Sequence, residues 1–510
     1  MRFSTFGITS VRRNLSANLI SRILSGLVNL ACVPIFLRVL GVSGYGLIGV
    51  WALLETFANL LDFGLSSTIT REMAASSRKA GNADHIRDLV RTLELGYWSI
   101  GAILAGVIVL AAPVLARSWL HSNTVAESSL RSVVVLIGFL IFSRWPMSFY
   151  GGGLSGLERQ VLLSWISLFF TATRNLGAAV VILLASPTTW AFFAWQLIIN
   201  SIQTVILAVL LWHCLPAGSK PIPRLSLIRS IRRFAGGVTA VTIVSMVLTE
   251  LDKIVISKQL SLEAFGYYSL AWQIAGSLYL VSTPVFTALF PAFARHVTAQ
   301  DTPRLTEIYH HAAQVISILV LPAATTFIFL ARQLVFAWTG SQQTAAHTWL
   351  AASLLTAGTA FNCIVSIPYA LQLAYGCTAI AFWTNLASAF VTVPLLLLLT
   401  ARFGSSGAAA VWLLINVSYL VTQVQLMHRR FLSRECLRWY LHDLAIPLFA
   451  CVVVSCLVAR FSFTVTTRMG ILSLALLNGV LAFGAASLSI PLIRKQIREL
   501  AASTRHAFSL

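Results

Sequence analysis

Apolar residues run along this chain in blocks of about 20, the length an α-helix needs to cross a hydrocarbon core roughly 30 Å thick. Bounded by charges, Pro and Gly, the blocks fall at 14–39, 45–69, 94–116, 131–152, 161–185, 189–212, 233–257, 264–291, 309–331, 347–372, 378–400, 406–428, 444–460 and 469–492. The pattern predicts an all-α polytopic membrane protein with about 14 transmembrane helices, the 444–460 block being the shortest. A polar connection with Pro216, Pro221 and Pro223 follows the sixth block. It divides the chain into an N-terminal six-helix lobe (1–212), a basic cytoplasmic linker (213–232), a second six-helix lobe (233–430) and two additional helices with a basic tail (431–510). Six is even, so both lobes start on the same side, and a duplication would be a parallel repeat about an axis along the membrane normal. At an offset of 220, Leu40–Gly46 aligns with Leu260–Gly266, each at the outer turn between the first two helices of its lobe.

Composition excludes a soluble protein. Of 510 residues 57% are hydrophobic and 10% charged, against roughly 25% charged in soluble domains. No polar stretch is long enough for a soluble catalytic domain, a nucleic-acid module or a long disordered tail. The formal charge of +20 therefore reports topology and no nucleic-acid partner is expected. Basic residues favour one set of connections, including Arg12/Arg13, Arg87/Arg91, Lys220/Arg224 and Arg429/Arg430, by about three to one, which predicts both termini in the cytoplasm. The first apolar run is too long for a signal-peptide core and is expected to stay as an uncleaved helix. Seven cysteines form no CxxC pair, so neither structural disulfides nor zinc is expected. No GxxxxGK[ST], HExxH or GxSxG occurs; the chain reads as a non-enzyme without cofactor or metal. Gly151–Gly156 reads as a flexible inner turn, and prolines at 34, 146, 284, 322, 368 and 394 fall inside spans, where kinks help helices bend.

Polar residues inside spans are costly, about 2.5–3.5 kcal/mol for a charge at mid-membrane, and their spacing shows where they face. Asn18, Arg22, Ser25 and Asn29 draw one line down the first helix. Glu55, Asn59, Asp62 and Ser66 do so on the second, Ser164, Ser167, Thr171 and Arg174 on the fifth, and Thr242, Ser245, Thr249 and Asp252, flanked by Glu250 and Lys253, on the seventh. Four aligned faces suggest a hydrated cavity between the bundles. Arg174 is the most central base. Arg22 and Arg144 either face the cavity or snorkel to headgroups, and Glu250, Asp252 and Lys253 either neutralise one another or meet substrate. Glu55 and Asp62 are candidates for ion coupling or for pairing with Arg22. Ser and Thr stripes also serve plain helix packing.

The segments FLRVLGVSGYGLIGVW, LLDFGLSSTITRE and LTELDKIVISKQLSLEAFGYYSLAWQI resemble oligosaccharidyl-lipid flippases of the polysaccharide-exporter family, the Wzx-type O-antigen translocases. That superfamily also includes lipid II flippases and multidrug exporters. The resemblance implies alternating access in the bacterial inner membrane, with an undecaprenyl-diphosphate-linked oligosaccharide as cargo and a polysaccharide polymerase and its chain-length machinery as partners. Arg22, Arg144, Arg174 and Lys253 would then meet the diphosphate, and Asn18, Asn29 and the hydroxyl faces the sugars. Coupling to protons or sodium through Glu55 or Asp62 is compatible but not required, since an inside-negative potential already favours outward movement of an anion. The competing readings are a multidrug exporter of the same superfamily and an integral membrane polymerase or ligase.

Overall fold

The computed structural model describes residues 4–60, 62, 64–76, 83–122, 124–224, 249–462 and 465–490. No strand occurs among them, as the fold class requires. The helices are α1 (Ser4–Leu60), α2 (Leu65–Ser76), α3 (Ala83–Val114), α4 (Glu127–Arg144), α5 (Pro146–Gly156), α6 (Gln160–Leu184) and α7 (Thr189–Cys214). Then come α8 (249–259), α9 (Leu262–Gly276), α10 (Tyr279–Thr298), α11 (Thr302–Phe329), α12 (Ala331–Thr339), α13 (Gln342–Ala374) and α14 (Ala379–Phe431). The last two are α15 (Cys436–Ala459), which contains a π-helical turn at Trp439–Ala445, and α16 (Arg468–Ser489).

Ten helices among the described residues are long and apolar enough to cross a membrane, eleven if the bent pair α9/α10 counts as one span. Fourteen windows were expected, and the difference has identifiable sources. Two pairs of windows are joined into single helices. Their apolar stretches of 43 and 53 residues are each about twice the length one crossing uses. Each is broken at a glycine in the left-handed region, Gly41 at φ 72° in α1 and Gly404 at φ 59° in α14, a conformation open to Gly because it lacks Cβ. The seventh window lies mostly outside the described residues. The eighth is bent by 41° between Gly276 and Tyr279.

Contacts divide the chain into Met1–Gly266 and Tyr267–Leu510. In the first unit α6 packs on α1 and α7, α4 on α3 and α7, and α5 on α2 and α7. The glycine run at 151–156 is part of this packing: it is helical, not a turn. Gly152 and Gly156, one turn apart, bring α5 against α2. A methyl on Gly152 would stand 2.6 Å from Ser66 O, and one on Gly156 2.5 Å from Thr70 O. Between helices in lipid there is little hydrophobic drive, so such small residues supply close van der Waals approach instead. The two segments aligned at offset 220 touch reciprocally within this unit. A methyl on Gly46 would lie 2.4 Å from Leu262 O, and one on Gly266 2.3 Å from Val42 O.

In the second unit α11 packs against α10, α13, α15 and α16, and α13 against α14. Its core is built on Phe293, Tyr309, Ile316, Ile367, Leu371 and Trp439. Asn478 on α16 donates from Nδ2 to Thr326 Oγ1 on α11 at 2.9 Å and to Ser455 Oγ on α15 at 3.1 Å. One amide thereby ties three helices together, as interhelical polar contacts do in lipid.

Candidate functional site

The stripe on α6 meets α1 on one side and α7 on the other. Ser21 Oγ donates to Ser164 O at 2.7 Å, and Asn175 Nδ2 donates to Asn29 Oδ1 at 2.7 Å and to Thr171 O at 2.9 Å. Beside Asn175, near the middle of the 25-residue α6, the Arg174 guanidinium donates from Nη1 to Asn200 Oδ1 (2.8 Å) and Gln203 Oε1 (3.3 Å) and from Nη2 to Thr171 Oγ1 (3.1 Å). Asn200 and Gln203 are buried on α7. All three acceptors are neutral, and among the described residues no carboxylate lies within ion-pair distance of Arg174. Guanidinium keeps its charge in proteins and offers five N–H donors, of which these contacts use three.

Arg144, the last residue of α4, is committed differently. Its Nε is 2.6 Å from Glu55 Oε1, and its guanidinium carbon stands 5.6 Å from the ring centre of Trp51. Arg144 and Glu55 are close enough to act electrostatically on Arg174. The three groups carry two positive charges and one negative, net +1, and the amides of Asn200 and Gln203 hold Arg174.

Other expected site residues fall elsewhere. Arg22 donates from Nε to Asn18 Oδ1 at 3.0 Å, one turn away on the exposed face of α1; it does not pair with Glu55 or Asp62. Lys253 Nζ is 2.7 Å from Glu250 Oε2, and the buried Asp252 accepts from Lys253 N at 2.8 Å. Thr242 and Ser245 lie outside the described residues.

The second polar line is not one helix face. Between Leu60 and Leu65 the helix stops, with Gly64 at φ 72°, and Asp62 sits in the break. Its Oδ2 accepts from Ser66 N (3.2 Å) and Ser66 Oγ (2.7 Å), while Tyr97 Oη donates to Oδ1 and Ser148 Oγ lies 3.5 Å from it. A side-chain oxygen on an orphan N–H of a helix start is an N-terminal cap. Asp62 thus starts α2 and binds it to α3 and α5.

Glu94 on α3 stands at the edge of an apolar window, where spacing alone does not mark it as part of a polar face. It is buried and accepts from Tyr150 Oη (2.8 Å) and Trp212 Nε1 (3.1 Å), with Arg91 Nη1 2.8 Å from its other oxygen. Nearer the start of the same helix, Asp84 and Asp88 hold the start of the basic linker. Ser219 N and Oγ donate to Asp84 Oδ1 at 2.7 and 2.8 Å, and Ile222 N donates to Asp88 Oδ1 at 2.7 Å. Arg224 Nε is 2.9 Å from Asp88 Oδ2.

Solved structures share this architecture. The lipid II flippase MurJ in an inward closed conformation superposes with a TM-score of 0.67 at 14% identity, over 92% of this chain and 97% of that one. An inward-facing multidrug resistance MATE family transporter of the MOP superfamily gives 0.65 at 14% identity, over 82% and 98%. At such identity the likeness is one of fold. In sequence, the chain is 25% identical over 429 residues to the succinoglycan biosynthesis transport protein ExoT of Rhizobium meliloti (strain 1021), covering 82% of this chain and 80% of that protein. By name, these relatives are a flippase and transporters. Residues 11–297, more than half of its length, match the family described as "Polysaccharide biosynthesis protein", and the chain belongs to that family.

Proposed function

We propose that the protein is a flippase that moves an undecaprenyl-diphosphate-linked oligosaccharide from the cytoplasmic to the periplasmic leaflet of the bacterial inner membrane. It does so by alternating access of the lobes 1–212 and 233–430, with both termini cytoplasmic. The observation that carries this reading is Arg174, a cation near mid-helix whose partners among the described residues are neutral amides and a hydroxyl. Its charge is held in place and not cancelled, and a diphosphate is the kind of group that gains most from such donors away from bulk water.

The surrounding chemistry fits the same cargo. Asn29, Asn175 and Gln203 offer amide donors and acceptors for sugar hydroxyls, and Arg144 holds Glu55 so that the site keeps a net positive charge. That sign disfavours the organic cations a multidrug exporter would carry. An anion leaving an inside-negative cell gains about 2.3 kcal/mol per charge per 100 mV, so the potential alone can drive the step.

The test is the sidedness of undecaprenyl-diphosphate oligosaccharide in host cells with and without this gene, read with a probe that cannot cross the inner membrane. Loss of the gene should trap the intermediate inside, and the wild-type gene should restore its exposure. Unchanged sidedness together with altered drug sensitivity would move the protein to the exporter reading.

A further inference from the structure

The unit beginning at Tyr267 buries an ionisable cluster that none of the polar stripes marked. His310 on α11 is 3% exposed, and Asp443, in the π-helical turn of α15, 1%. Asp443 Oδ2 lies 2.5 Å from His310 Nδ1, and Glu435 Oε2 lies 2.9 Å from His310 Nε2. Asp443 Oδ1 also accepts from Gln314 Nε2 at 2.8 Å. Both ring nitrogens therefore face carboxylate oxygens, and each contact needs a hydrogen. A neutral imidazole has one N–H and an ionised carboxylate has none. Two contacts with one hydrogen leave two lone pairs facing each other, so the arrangement requires one proton more than a neutral ring with two carboxylates carries.

The neighbours do not supply that proton. His428 on α14 has Nδ1 2.9 Å from Val424 O and Nε2 3.2 Å from Tyr309 Oη. A neutral ring satisfies both, donating to the carbonyl and accepting from the phenol. Arg438 Nη1 stands 3.4 Å from Glu435 Oε2; on α15 Cys436 follows Glu435 and His442 precedes Asp443, with Tyr440 between them, and Arg429 on α14 is close enough to act on Cys436. His311 follows on α11 itself, and on α10 His296 is 3.5 Å from Asp301, with Arg295 beside it. α13 contains no Asp, Glu, Lys or Arg, and on α16 Arg468 donates to Ala337 O. A shared metal does not fit either, since the two ring nitrogens serve different carboxylates. Among the described residues no group of three His, Cys, Asp or Glu is placed to hold one.

We propose that His310, Asp443 and Glu435 form a proton-binding site that ties α11 to the start of α15, and, resting on the transport reading above, that exchange of this proton is coupled to the transport cycle. The bound proton takes the cluster from a charge of −2 to −1. When it leaves, the Glu435 arm opens: this carboxylate is a quarter exposed and has Arg438 as an alternative partner, whereas Asp443 is enclosed and held by Gln314. A π-helical turn at this point suits such a rearrangement, because these turns recur where function demands an irregular helix.

The experiment compares the full-length wild type with Glu435→Gln and His310→Gln in lipid nanodiscs, with melting temperature followed from pH 5 to 9. A proton held more tightly by the folded chain than by the unfolded one makes stability fall as pH rises through its release. The wild type should show this alkaline decline. In Glu435→Gln the amide supplies the missing hydrogen, so the decline should vanish while the protein stays folded, and His310→Gln should also lose it. An alkaline decline of wild-type size in Glu435→Gln would overturn the site. In proteoliposomes the wild type should move lipid-linked oligosaccharide faster under an imposed pH gradient, and Glu435→Gln should lose that response; an undiminished response would overturn the coupling. If the wild type moves no such lipid, the transport reading and the coupling fall together, and the melting profiles still decide the proton site.

Discussion

Glu55 and Arg144 are partners: the carboxylate on α1 lies 2.6 Å from the guanidinium at the end of α4. They stand 89 positions apart, and neither polar spacing nor charge order pointed to the pairing. It joins the two cations of the α1–α4–α6–α7 centre into one electrostatic unit, in which Glu55 balances Arg144 and leaves Arg174 as the surplus.

Truncating Arg144 should therefore harm stability through the group it abandons. Arg144→Ala leaves Glu55 half-buried without its cation, at a cost of roughly 1–3 kcal/mol. Glu55→Gln in the Arg144→Ala background should recover part of the loss. Thermal unfolding of the detergent-solubilised variants measures both, and additive effects of the two substitutions would deny the pairing.

The glycines of α5 give a second prediction. Gly156→Ala sets a methyl against the backbone of α2 and should destabilise by about 1–3 kcal/mol, the usual range for overpacking. Gly106→Ala on α3 meets nothing within 4 Å and should be neutral, or stabilise by up to about 1 kcal/mol from helix propensity alone. The difference between the two melting temperatures is the readout; equal effects would return the glycine run to a loop-like role.

Asp62 should behave first as a cap. Asp62→Ala removes the oxygen that holds Ser66 N and Ser66 Oγ and should cost about 0.5–2 kcal/mol, with Asp62→Asn costing less because its amide oxygen still accepts. If Asp62 also couples transport to an ion, Asp62→Asn will abolish the dependence of transport on pH or sodium at near-normal stability. A flux measurement across both gradients separates the roles.

The linker gives a prediction of exposure. Asp88→Ala removes the acceptor for Ile222 N and the partner of Arg224. A cysteine placed at Ser219 should then react faster with a bulky maleimide than in the otherwise unchanged chain, while the same substitution at the surface pair Arg304/Glu307 leaves labelling unaltered.

The fold class was legible because length and apolarity act locally: each span satisfies its own backbone hydrogen bonds, so windows of about 20 apolar residues suffice to find it. The α6 stripe was legible for the same reason, since Thr171 and Arg174 lie on one face by helical period. The break at Asp62 was hidden inside an uninterrupted apolar and polar rhythm, where one glycine at positive φ decides the outcome. The glycine run at 151–156 misled because a flexible composition becomes rigid once a neighbouring backbone fills the space above it. His310, Asp443 and Glu435 could not be read at all. Their meaning lies in contacts across more than a hundred positions, and each alone looks like a polar residue near a helix end.

On the proposed function, Arg174 holds the anionic part of a lipid-linked cargo. The most direct measurement is the rate at which undecaprenyl-diphosphate-linked oligosaccharide becomes accessible to an impermeant probe in proteoliposomes of wild type, Arg174→Lys and Arg174→Ala at matched protein content. Loss of charge-assisted hydrogen bonds worth about 1.5–3 kcal/mol predicts a rate for Arg174→Ala lower by roughly ten- to a hundredfold, with Arg174→Lys between the two. A properly folded Arg174→Ala that moves the lipid at the wild-type rate would contradict the claim.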